Sequence, residues 1–114
     1  MIIKKLSEMQ IIKNAHNVDA RNLYAKDSAV ISLITLEPGQ SLLPHVTPVD
    51  VAFYVLEGRG TVEIGKEKAE VEKDTLIESP KDTVHCWYNE SNAILKFLVI
   101  KAPKPNKKTV FISK

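Results

Sequence analysis

From Ala29 to Lys101 the chain is a succession of short segments rich in valine, isoleucine, threonine and aromatic residues. Each is stopped by glycine, proline or acidic turn residues. Such segments fit pleated, half-buried surfaces, and their spacing of roughly eight to twelve residues indicates an all-β domain. "AVISLITLEPGQ" predicts a strand over 29–36 and a turn over 37–40. "VAFYVLEGRGTVEIG" predicts a strand over 51–57, a tight turn from Gly58 to Gly60 and a partner strand over 61–64. "EKAEVEK" alternates, "DTLIESP" predicts a short strand ending at Pro80, "TVHCWYN" predicts another, and "NAILKFLVIKAP" predicts a last core strand over 93–101. No apolar stripe of helical spacing occurs in 29–101. Only "KKLSEMQIIKNA" offers a helical turn or two, and its β-branched Ile11 and Ile12 weaken that reading.

Two ends are left over, and terminal strands are expected within 1–18 and 109–114. "TVFISK" follows a Pro-Lys-Pro linker, and Val110, Phe111 and Ile112 need a sheet edge, in their own domain or on a neighbour's sheet. At 114 residues the chain suffices for one domain with a real core and not for two. The net charge is +2, yet residues 101–114 hold five lysines and no acid, which leaves the body mildly acidic. That balance argues against a nucleic-acid surface. No apolar run approaches the roughly 20 residues that span a bilayer, so no membrane partner is expected. Cys86 is the only cysteine and no signal-peptide pattern opens the chain, so a reducing cytoplasm is the expected compartment.

Two separated motifs carry a resemblance. Gly39 is followed by five residues and then His45, and "FYVLEGRGTVEIG" frames Gly58. Further on, "DTLIESPKDTVHCWYN" keeps Pro80, His85 and Asn89 in order. With these spacings the chain resembles the cupin superfamily over roughly residues 30 to 100. The resemblance implies an antiparallel double-stranded β-helix, or jelly-roll barrel, as a single domain. It also implies a homodimer through edge-strand pairing. The sequence departs from the family pattern at four places. Thr47 stands where a second histidine is usual, Val51 takes the place of the glutamate, and Lys73 and Asp82 replace motif glycines.

In metal-binding members three histidines and a carboxylate face inward. Here the resemblance carries over His45 and His85 alone, with Asp50 as a third ligand only if the strand register bulges. A valine has no lone pair and a threonine hydroxyl is a poor ligand for a first-row ion, so binding of zinc, iron, nickel or manganese is expected to be weak or absent. By period-two alternation, Thr47, Val51, Phe53, Val55, Trp87 and Asn89 are the candidate cavity residues. Trp87 is a stacking wall or a core filler, and Asn89 a turn tie or a contact. Tyr54 and Tyr88 are assigned to the opposite face, where a dimer contact is expected. Cys86 is expected to be a small buried hydrophobe, and His16, outside both motifs, to be exposed.

Three functions compete on this reading. The first is a small-molecule-binding domain with little or no metal affinity. The second is a metal-dependent dioxygenase, isomerase or decarboxylase working through His45 and His85. The third is an interaction module with a filled interior, in which Phe53 and Trp87 touch. No nucleophile with a histidine partner and no phosphate loop is evident in the sequence.

Overall fold

The computed structural model describes residues 1–112. The strands are β1 (Asp19–Lys26), β2 (Ala29–Leu36), β3 (Ser41–Val46), β4 (Val51–Glu57), β5 (Arg59–Ile64), β6 (Glu67–Glu72), β7 (Leu76–Ser79), β8 (Val84–Tyr88), β9 (Leu95–Lys101) and β10 (Val110–Phe111). Two five-stranded antiparallel sheets result, in the orders β1-β2-β9-β4-β7 and β10-β3-β8-β5-β6. Neither sheet closes on itself, so the jelly-roll barrel implied by the resemblance is corrected to two open sheets packed face to face. The edge strands explain why. β6 carries Glu67, Lys68, Glu70 and Glu72, all exposed, and charges along an edge oppose further pairing.

The hairpin expected between 51–57 and 61–64 does not form. β4 pairs with β7 and β9, whereas β5 pairs with β6 and β8. Gly58, at φ 78°, turns the chain from one sheet into the other, and a Cβ there would collide with the Ile94 carbonyl. The second motif makes a related substitution. Asp74 and Asp82 adopt φ of 64° and 62°, the left-handed conformation that glycine would supply. Asp74, rather than Lys73, therefore stands at the first glycine position, and aspartate tolerates that conformation better than most residues.

The core lies between the sheets, where alternate residues point inward. Leu36, Phe53, Val55, Leu95 and Phe97 come from one sheet, and Leu42, Val62 and Trp87 from the other. Trp87 stacks on Phe97, with ring centroids 4.1 Å apart, and meets Phe53 edge-on at 5.4 Å. This aromatic cluster fills one end of the interior. Truncating such a side chain leaves a void and costs about 3–5 kcal/mol.

The ends differ from expectation. Residues 1–18 contain no strand; they hold one 3-10 turn (Leu6–Glu8), and residues 12–16 bridge the two sheets, with Ile12 N–H donating to the Ala20 carbonyl of β1 and His16 accepting the Leu43 N–H of β3. The polar tie Asn14 fixes this segment, donating from Nδ2 to the carbonyls of Ile12 and Val18 at 2.8 Å each. Of the expected 109–114 strand, Val110 and Phe111 pair with Val46 and His45 of the same chain, while residues 113 and 114 lie outside the described residues. The tail thus takes up its own domain's β3 edge. No helix among the described residues is long and apolar enough to cross a membrane.

Candidate functional site

His45 and His85 are cross-strand partners in β3 and β8, brought level by a bulge between Leu42 and His45. Both rings are buried, and their Nε2 atoms are 3.0 Å apart. The neighbours fix the protons. The Leu43 carbonyl can only accept, so His45 donates from Nδ1–H at 2.6 Å and leaves its Nε2 as an acceptor. His85 then donates from Nε2–H to His45 and accepts at Nδ1 from the Ser79 hydroxyl at 2.7 Å. Thr47 Oγ1 accepts a share of the same Nε2–H at 3.3 Å. A directional chain runs from Ser79 through His85 and His45 to a backbone carbonyl, with both imidazoles neutral.

Electrostatics favour that state. Burial, then the proximity of His45, Lys101 and His16, pushes His85 down to about 3. His45 is also lowered, by burial and Lys101 against the opposing pull of the Leu43 carbonyl.

Four further residues complete the site, and motif spacing singled out none of them. His16, expected to be exposed, is half-buried, with its ring 5.0 Å from that of His45. Its Nδ1 accepts the Leu43 N–H at 2.7 Å, and burial together with His45 and Lys101 lowers it to about 4. Lys101 ends the inward face of β9 that begins with Leu95, Phe97 and Val99. Alternation from Phe97 was the available signal for it. Ser79 is fully buried and touches His85, but does not line the cavity. The nucleophile-like partner absent from the sequence reading is therefore a positioning residue. Phe111 roofs the histidines, its ring 5.3 Å from His16 and 5.7 Å from His45.

Together these residues surround a cavity of about 230 Å³. His16, His45, Thr47, His85 and Lys101 line it beside the neutral Asn14, Asn22 and Ser32, and Ile34, Leu42, Phe53 and Val99 are among its apolar walls. Of the other candidates, Val51, Val55 and Trp87 lie in the core away from the cavity. Asn89 ties a turn: its Nδ2 donates to the carbonyls of Leu36 and Ala93, and its Oδ1 accepts from the backbone and side chain of Ser91. Cys86 is buried, with its Sγ 3.2 Å from the Tyr88 hydroxyl. Tyr54 lies at the opposite surface, its hydroxyl donating to Asp74.

The metal-binding alternative through His45, His85 and Asp50 is corrected here. Asp50 is exposed and accepts the Lys81 N–H at 2.8 Å, as a turn aspartate does. Thr47 and Val51 offer no strong donor, and His16 has its Nδ1 committed to backbone. No group of three histidine, cysteine or acidic side chains among the described residues is placed to hold a metal ion. Two imidazoles with no third strong donor do not fit a resident ion, which takes three or four protein ligands.

A histidine pair set between two open sheets, beside a small pocket that is partly open to solvent, defines a compact all-β protein with a site between its sheets. The chain belongs to the cupin domain family, whose model matches residues 32–101. It is similar to an uncharacterized protein of Methanocaldococcus jannaschii, 33% identical over 84 residues; the match covers 72% of this chain and 66% of that relative's length. The crystal structure of TT1209 from Thermus thermophilus is similar at a TM-score of 0.79 and 29% identity, covering 92% of this chain and 100% of that one. The polyketide cyclase RemF from Streptomyces resistomycificus shares the fold, with a TM-score of 0.85 at 18% identity, over 100% of this chain and 87% of that one. The protein is a small single-domain cupin without a metal-binding cluster among its described residues.

Proposed function

We propose that the protein binds a small molecule in the cavity between its sheets, without using a resident metal ion. The observation that carries this reading is the directed hydrogen-bond chain Ser79–His85–His45, which aligns two buried imidazoles beside a pocket between the sheets. Building four ionisable side chains, His16, His45, His85 and Lys101, into an interior opposes folding, because each loses hydration. A ligand that uses them supplies a reason for their placement. A larger groove of about 840 Å³ involves Leu6, Asp19 and Arg21, but Arg21 is committed there to Asp19 and to the Leu6 carbonyl.

The filled-module reading has the Phe53–Trp87 contact in its favour. It accounts for the aromatic end of the interior and leaves the histidine end unexplained.

The test is a screen of a charge-diverse fragment library, followed through the ring NMR signals of His16, His45 and His85. Fragments that bind are expected to shift these three sets of signals together. If no fragment of any charge perturbs them at millimolar concentration, the small-molecule reading falls.

A further inference from the structure

We propose that the ligand is a small organic anion, a carboxylate with a short apolar tail. Lys101 and His16 would donate to the carboxylate, and Ile34, Leu42 and Val99 would contact the tail. The inference rests on the small-molecule reading and names the ligand class.

The cavity has donors left over and its central imidazoles have no acceptor left over. His45 and His85 use both of their ring nitrogens on each other, on Ser79 and on Leu43. His16 accepts the Leu43 N–H at Nδ1, which places its proton on Nε2, and that N–H has no partner among the described residues. Lys101 is held in place by backbone pairing on both sides, opposite Val30 and Val51. Its ammonium has no ion pair among the described residues, whose two salt bridges join Arg21 to Asp19 and Arg59 to Glu70. No carboxylate lines the cavity. The complement of such a surface is a group that only accepts, and an ionised carboxylate is that group.

Size and walls narrow the class. At about 230 Å³ the space lies below the roughly 300–1,000 Å³ of drug-sized sites. Apolar walls beside the donors favour a short hydrocarbon tail over a fully polar anion such as phosphate. Burial already lowers the Lys101 pKa, and an incoming anion would offset the penalty for the charged form.

The experiment compares butyrate with its neutral isostere butyramide on the full chain. Both are titrated while the three histidine ring signals and the Lys101 side-chain signal are followed. Butyrate is expected to bind at least tenfold more tightly than butyramide, shifting Lys101 and His16 together. Lys101→Met, which keeps the stem and removes the charge, should abolish that preference, and the wild-type comparison stands by itself should the variant fold poorly. Equal or tighter binding of butyramide at the same signals overturns the anion inference and leaves the small-molecule reading intact. Silence toward both probes overturns the inference as well, whereas the reading beneath it falls only with the charge-diverse screen.

Discussion

The Nε2 atom of His85 lies 3.0 Å from the Nε2 atom of His45, and the two residues oppose each other directly across β8 and β3. A hydrogen bond at that distance requires one nitrogen to carry a proton and the other a lone pair. Both rings are neutral, and the direction is set by the Leu43 carbonyl, which can only accept; the Ser79 hydroxyl at the other end follows by donating. Acid should break this arrangement.

His16 and His85 fall from the ordinary histidine value of 6.5 to about 4 and about 3 in the folded protein. His45 shifts the same way, and Lys101 adds positive charge to the cluster. Because the folded values are depressed, the unfolded chain binds protons first. Stability is full above about pH 6.5 and is lost as pH falls toward the folded values, at up to about 1.4 kcal/mol per pH unit for the buried His85 and less for the half-buried His16, which solvent screens. Urea melts at pH 7.5, 6.5 and 5.5 read this before most carboxylates titrate. A flat profile over that range would contradict the neutral cluster.

Ser79→Ala removes the donor to His85 Nδ1 in a fully buried setting. The expected loss is about 1–2 kcal/mol of folding stability. The His85 ring should keep the Nε2–H tautomer that His45 imposes, while its Nδ1 15N signal shifts because that acceptor has lost its donor. Unchanged ring signals would mean that Ser79 does not donate to His85.

Metal removal should leave the protein unaffected. Dialysis against a chelator is expected to keep the melting temperature where it was. Thr47→His would add a third imidazole 38 positions before His85 and at its side. Zinc should then raise the variant's melting temperature, since ligands that favour the folded state stabilise it. A chelator-induced drop in the wild-type protein would refute the assignment of a metal-independent site.

Asp82→Gly places glycine at a φ of 62°, where the exposed aspartate side chain makes no hydrogen bond among the described residues. Relief of the left-handed strain should exceed the added unfolded-state entropy, for a net gain of about 0.5–1 kcal/mol. Chemical denaturation measures it directly. A loss of stability would show that the carboxylate contributes something the geometry does not reveal.

The sequence determined where several of the strands lie, although it indicated neither β1 nor β3 and expected a strand within 1–18 that does not form. Ala29–Leu36 and Val51–Glu57 match their expected bounds, because period-two burial and β-branched content are local properties of the chain. Motif spacing also singled out His45 and His85, whose rings meet. Which strand pairs with which was decided elsewhere. Gly58 sends β5 away from β4, and the charged outer edge of β6 helps leave the sheets open, so neither the expected hairpin nor the closed barrel forms. The same holds for the site. Ser79, His16 and Lys101 come from three unrelated stretches and meet the histidine pair only once both sheets are packed and residues 12–16 bridge them. Side-chain direction along a strand repeats every two residues and can be read locally. The company a side chain keeps across the interior depends on contacts between distant segments, and only the tertiary structure supplies those.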